Sequence, residues 1–416
     1  MPDFPTEWIR EQFPALNDGE EFVFFDNGAG AQVPQVVLDA VRDHLISRNV
    51  QRGGRYRRSI EVDAAIQRAR ENVALFVNAC EPNEIAFGMN ATSFIRIVSL
   101  ALAESLSTRN EIVVSDLDHE ANVATWLALE RSGARIRWWH MREDGTLNVE
   151  DLEPLLNSKT RLVACALASN ALGSVVDVKG AAARAHAAGA ELFVDAVHYA
   201  PHGPIDVQDL DCDYMVCSGY KIFAPHMGFL WGKKAALDAL PTFREDFIPD
   251  KVPFKIEVGT FVYENVAGMD AAITYLESVG RKISADASHL TKRDALKVAM
   301  EGIRTYEEIL CECMLTTLSA VAGAHIYGIR DLGSMRARVP TLCFNVAGIP
   351  PMSVTTVLSE KNIGVRDGNM YSPRLLRRLG LAADTGAVRA SLVHYNTLNE
   401  IERFAKAMRE LVSTAS

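Results

Sequence analysis

A surplus of positive charge is missing from this sequence. Its 43 lysines and arginines are outnumbered by 53 aspartates and glutamates, giving a formal charge of -10. That balance works against attraction to nucleic acid or to anionic lipid, and neither is an expected partner. No apolar run is long enough to span a bilayer, and the opening Met-Pro-Asp-Phe-Pro-Thr-Glu lacks the basic-then-apolar order of a secretory signal, so the cytoplasm is the expected compartment. Cysteine is sparse. Cys80, Cys165, Cys212, Cys217, Cys311, Cys313 and Cys343 are an odd number, mostly inside apolar runs, and read as reduced thiols rather than a disulfide framework. Cys311 and Cys313 have no second cluster at zinc spacing, and Pro201 separates His198 from His202 with no HExxH pattern, so no metal is expected. Gly28-Ala29-Gly30 lacks the third glycine of a dinucleotide turn. Repeats, low-complexity tracts and Pro/Ser-rich linkers are also absent.

What is present is an ordinary globular balance, 48% hydrophobic and 23% charged, over 416 residues, which is too long for one ordinary core. Apolar strand-like runs alternate with helix-like stretches between about residues 85 and 235, the signature of a parallel sheet covered on both faces. The predicted strands are Ile85–Phe87, Ile112–Val114, Leu162–Cys165, Leu192–Val194 and Tyr214–Cys217, with helices over 92–106, 120–132 and 178–188. A charged helical stretch over 283–320 then leads to short strands near 341–346, 363–366 and 387–393 and helices near 353–360 and 397–412. The expected fold is α/β: a large doubly wound domain over 20–275, and a smaller α+β domain formed by 1–19 and 276–416.

Two predicted neighbouring strands end in chemistry. Leu192-Phe193-Val194 runs into Asp195, and Tyr214 to Cys217 runs into Ser218-Gly219-Tyr220-Lys221. In a parallel sheet both ends share the edge where ligands of open α/β sheets bind. Pyridoxal phosphate requires this pair: an amine for its aldehyde, as a Schiff base, and a carboxylate to keep its ring nitrogen protonated. Taken singly, Lys221 and Asp195 also read as a strand-end lysine and a capping aspartate. Gly88-Met89-Asn90-Ala91-Thr92-Ser93 follows a strand and opens a helix, so the amides of Ala91 and Thr92 suit a phosphate, although a plain helix cap has the same appearance. Ser218 and Tyr220 add hydroxyls beside the lysine. His119 lies at the same edge, fit either to stack on a ring and exchange protons or to cap a helix, and Asn170 and His198 are placed to hydrogen-bond a ring oxygen.

With Gly228-Phe229-Leu230 added, Val194 to His198, Asp211-Cys212-Asp213 and Ser218 to Lys221 resemble the class V aminotransferases, and more closely the cysteine desulfurases and their relatives, from about Phe24 to Arg409. The resemblance implies fold type I with a seven-stranded, mostly parallel sheet, and a homodimer with shared active sites. It puts the Schiff base on Lys221, the ring-nitrogen partner on Asp195, the stacking ring on His119, and ring-oxygen contacts on Asn170 and His198. Ala91, Thr92 and Ser218 match the phosphate cup, where Tyr220 changes one contact, and Thr260 matches the threonine a partner subunit contributes. Arg389 matches the arginine that holds a substrate carboxylate, and Asp26 to Gln32, with Gly28 and Ala29, the loop over the substrate.

The departures bear on the reaction. Tyr220 replaces a histidine and His198 a glutamine, and the loop after Val365-Arg366-Asp367-Gly368 reads Asn369-Met370-Tyr371-Ser372, with no thiol to accept sulfur. The expected activity is desulfurase-like cleavage of a carbon–sulfur bond in a small L-amino acid. Decarboxylative carbon–carbon bond formation competes with it because of Tyr220-Lys221 and His394-Tyr395-Asn396-Thr397, and transamination or racemisation follows. A non-catalytic scaffold of the same fold stands against all of these. The run Arg52, Arg55, Arg57 and Arg58 reads as solvated surface or as an anion site near the neighbouring subunit.

Overall fold

Continuous runs of β-branched and aromatic residues suit strands buried on both faces, and these runs build the largest sheet of the computed structural model, which describes residues 4–17, 19, 21–382 and 384–415. Residues 1–3 and 18 of the expected 1–19 segment lie outside the described residues. In chain order, β1 (Val23–Phe24) precedes β2 (Ile85–Gly88), β3 (Glu111–Ser115), β4 (Arg135–Trp139), β5 (Thr160–Ala166), β6 (Glu191–Asp195), β7 (Tyr214–Ser218) and β8 (Gly228–Gly232). The seven-stranded sheet has the order β2-β8-β7-β6-β5-β3-β4; β8 runs antiparallel to both neighbours and every other pair is parallel. Successive residues serve opposite faces. Ile112, Val114 and Phe193 pack with Phe94, Val98 and Trp126 from helices on one side, while Val113, Leu192 and Val194 pack with Val178, Ala181 and Ala185 on the other.

β4 was not among the predicted strands. Its side chains alternate between exposed and less exposed, with Arg135 and Arg137 outward, as befits an edge strand that lacks a continuous apolar run. The helix expected over 120–132 is α-helical only through Ala121–Leu127, then tightens to a 3-10 turn that ends at Gly133 in the left-handed region. The stretch expected to be helical over 283–320 is interrupted. One helix, Tyr263–Ile283, ends as Ser284 turns extended; the next, Lys292–Ser319, starts at Thr291, whose side chain accepts the Asp294 amide. Residue 275 falls inside the first of these helices.

Beyond them, β9 (Ala324–Tyr327), β10 (Thr341–Val346), β11 (Ile363–Gly364), β12 (Arg366–Gly368) and β13 (Ala387–Ser391) complete the strands. β12-β13-β10-β9 form a four-stranded antiparallel sheet packed on Leu310, Met314 and Leu318 of one helix and Phe404 and Met408 of Leu398–Ala415. β1 pairs in parallel with β11, and the Ser391 amide donates to Phe25 O at 2.7 Å. The loop after β1 is thereby drawn across the chain to β13, more than 360 residues away.

Candidate active site

β6 and β7 lie side by side and in parallel, with Asp195 opposite Val216, so Asp195 and the short turn Gly219–Lys221 emerge at one sheet edge. Their side chains line one cavity with Ala91, Thr92, His119, Asn170, His198, Ser218 and Tyr220. Nine of the thirteen residues singled out from the sequence meet there. Ile95, Ala166, Ala168 and Val197 supply its apolar walls, which nothing in the sequence marked as special.

Lys221 is 5% exposed and makes no hydrogen bond or ion pair among the described residues. Burial lowers its pKa to about 7; the positive charge of Arg389 adds to this and Asp195 opposes it. Asp195 is buried, and its Oδ1 accepts the Val197 amide at 2.9 Å. Burial raises its pKa, against the pull of that hydrogen bond and of Lys221. Burial, then Lys221 and Arg389, lower His119 to about 4.

His198 is held on its Nε2 by Thr341 Oγ1 at 2.9 Å, while its buried Nδ1 has no partner. At the other end of the cavity the Ala91 amide faces Ser218 Oγ at 3.3 Å, and Asn90 caps the helix Ala91–Ala103 through the Ser93 amide at 2.9 Å. A glycine is needed opposite: a Cβ on Gly228 would come within 2.7 to 2.9 Å of the Asn90 and Ala91 backbone. Tyr220 stacks on His226 with centroids 5.3 Å apart.

The remaining candidates sit differently. Asn170 reaches the cavity, but its Nδ2 donates to Met370 O at 2.7 Å and its Oδ1 accepts from Ser372 Oγ at 3.0 Å, so its amide is tied to the loop after β12. Arg389, on β13, is 1% exposed. Its Nη1 donates to Asn170 O at 2.9 Å and its Nη2 to Asp26 Oδ1 at 3.2 Å, and its Nε has no partner. Asp26 is shared with Arg366, whose Nη2 donates to Asp26 Oδ2 at 2.7 Å. Gly28 is pressed against this cluster, since a Cβ there would lie 2.9 Å from Arg389 Cζ. Ala29 lines an adjoining opening with Thr92, Ser218 and Tyr220. Thr260 is exposed, bonded to Gln51 Oε1 at 3.3 Å, and does not line the Lys221 cavity of its own chain. The sequence assigned no individual role to Asp26, Thr341 or Tyr371. Asp26 had a signal, its place at the head of the loop carrying Gly28 and Ala29, but its two arginine partners lie more than 300 residues away.

A model of the class V aminotransferases matches residues 23–311 and 294–404. A probable cysteine desulfurase of Synechocystis is 32% identical over 97% of this chain and 95% of its own, and an aminotransferase-like protein of Gibberella zeae is 34% identical over 97% and 98%. Among solved structures, the cysteine desulfurase of Thermococcus onnurineus superposes with a TM-score of 0.87 at 26% identity, and Escherichia coli CsdA with 0.84 at 27%, each covering 99% of both chains. The chain belongs to the class V aminotransferases, a family of pyridoxal-phosphate-dependent enzymes, in its cysteine desulfurase-like branch.

Proposed function

We propose that this chain binds pyridoxal phosphate at Lys221 and cleaves the carbon–sulfur bond of a small L-amino acid. One observation carries the reading: an unpaired buried amine and a buried carboxylate face one cavity from adjacent strand ends. The residues present fit the cofactor. His198 Nδ1 is a buried polar atom lacking a partner, and a Cβ on Gly228 would crowd the backbone at the start of Ala91–Ala103. When bound, the cofactor supplies an aldehyde for amines and a ring that accepts the electron pair released at a substrate α-carbon.

The chain's own residues then divide the work. Lys221, with its pKa near 7, is neutral often enough to act as a nucleophile and to take and return a proton at the α-carbon. Asp195 would hold a proton against the ring nitrogen. Ala91, Thr92, Ser218 and Tyr220 would hold the phosphate, and His119, Asn170 and His198 the ring and its oxygen. Arg389 would orient the substrate carboxylate beneath Gly28 and Ala29, displacing or sharing Asp26. Thr260 would serve the site of a partner copy in a cytoplasmic homodimer.

No cysteine lines the cavity among the described residues, and Tyr371 occupies the loop in which desulfurases carry the sulfur-accepting thiol. Sulfur therefore leaves directly for a small acceptor in the leading reading. The same observation favours a second reading, decarboxylation followed by carbon–carbon bond formation. The test is product analysis of holoenzyme given L-cysteine and a thiol reductant, and other amino acids with and without aldehydes or keto acids. Alanine with sulfide is expected. Pyruvate with sulfide would make the enzyme a lyase, a carbon–carbon adduct with carbon dioxide would replace the leading reading, and no product from any mixture would refute both.

A further inference from the structure

A guanidinium offers a carboxylate two donors along one side, Nε and Nη2, and the two arginines that share Asp26 use that edge differently. Arg366 uses both: its Nε donates to Asp26 Oδ2 at 3.0 Å and Oδ1 at 3.1 Å, and its Nη2 to Oδ2 at 2.7 Å. Arg389 uses only Nη2, on Asp26 Oδ1 at 3.2 Å, and its buried Nε has no partner among the described residues. Asp26 therefore fills the edge of Arg366 and half fills that of Arg389. A buried N–H without an acceptor is costly, so a carboxylate that reaches it gains by taking it.

The geometry also decides which bond gives way. A carboxylate on Nε and Nη2 of Arg389 replaces one hydrogen bond of 3.2 Å, while Asp26 keeps its two-point hold on Arg366. The loop behind Asp26 is anchored without either arginine: the Gly28 amide donates to Ser391 Oγ at 2.6 Å and Asn27 Nδ2 to Ser391 O at 2.8 Å. Asp26 thus stays in place, 15% exposed, as a fixed negative charge beside the newcomer. Asp367, on the same short strand as Arg366, adds to that negative field, and Lys221 lies within electrostatic reach of both Asp26 and Arg389. Arg366 and Arg389 against Asp26 leave one positive charge uncompensated, which one incoming carboxylate balances. Like charges brought together where water is scarce repel strongly, so a second carboxylate is opposed.

Resting on the function proposed above, we infer that Asp26 restricts the substrate to a single carboxylate: it yields Arg389 to the α-carboxylate of an amino acid, remains on Arg366, and repels any anionic side chain.

Propionate and succinate differ by one carboxylate and have no amine to react, so their binding to holoenzyme isolates the effect of charge. By calorimetry at about pH 8, where every carboxyl is ionised, the wild type should bind propionate at least about tenfold more tightly than succinate. Asp26→Asn keeps the shape and removes the charge, and should raise the succinate-to-propionate affinity ratio by about ten- to 100-fold. Adding Arg366→Gln to Asp26→Asn again leaves one uncompensated cation, and should return the ratio to within about threefold of the wild type. A merely structural role for Asp26 predicts similar losses for both acids and no recovery in the double variant, and that result overturns the inference. So does a wild type that binds succinate as well as propionate, or binds neither, a comparison that stands even if Asp26→Asn does not fold. Turnover reports on the proposed function separately: if no amino acid reacts, cleavage is refuted, and the two affinities still decide the role of Asp26.

Discussion

Lys221 and Arg389 are buried cations close enough for the arginine to depress the lysine's protonation, yet their surroundings are opposites. The lysine has no partner among the described residues and faces open space, whereas the arginine is enclosed, with one nitrogen on the Asn170 carbonyl and another on Asp26. An unpaired buried amine is poorly stabilised in its charged form, so it is held near neutrality and ready to react. A buried guanidinium paired by the protein itself is first a structural element. It becomes a substrate contact only by exchanging one partner for another. The cofactor half of the site is therefore poised in advance, while the substrate half is satisfied internally.

Removing the poised cation should have the largest catalytic effect and the smallest structural one. Lys221→Ala is expected to abolish the visible cofactor band and lower turnover by about 1,000-fold or more. Its urea midpoint should stay at or above that of the wild-type apoprotein, because an unpaired buried charge is lost. Removing the enclosed cation should do the converse. Arg389→Ala leaves the Asn170 carbonyl without its donor and Asp26 with Arg366 alone, and is expected to cost about 1 to 3 kcal/mol in urea unfolding, together with a rise in KM; unchanged stability would contradict the enclosed picture. Asn170→Ala, which frees the loop at Met370 and Ser372, should raise KM about tenfold without removing the visible band.

The contrast also has a pH signature. The neutral amine is the form that captures an aldehyde, and a pKa near 7 places its appearance there. Capture of pyridoxal phosphate by the apoprotein should accelerate as pH rises through about 7 and level off above about 8, whereas a lysine paired like Arg389 would keep accelerating towards its ordinary pKa near 10.4. Stopped-flow absorbance measures this directly. The smallest effect belongs to the exposed thiol: Cys80→Ser should leave turnover unchanged, because Cys80 does not line the cavity.

The poised half of the site was also the half legible in the sequence. Asp195 and Lys221 follow apolar runs buried on both faces, so the strand pattern alone brought them to one edge. The enclosed half depends on pairings that no local pattern carries: Asp26 with Arg389, Asn170 with Met370 and Ser372, His198 with Thr341. The same limit applied to the fold. β4 was missed because an edge strand alternates charge with apolar residues, and the break at Ser284 was missed because the flanking stretches both favour helix. Resemblance to a family gave Arg389 its expected place at the substrate, but not the aspartate it already holds.

The central claim is that Lys221 is the amine that holds the cofactor. The most direct measurement is borohydride reduction of the holoenzyme followed by peptide mass spectrometry. The account predicts one pyridoxyl-phosphate mass addition, on the peptide containing Lys221, and none in protein reduced after cofactor removal. Attachment at another lysine, or no fixed label in a protein saturated with cofactor, would contradict it.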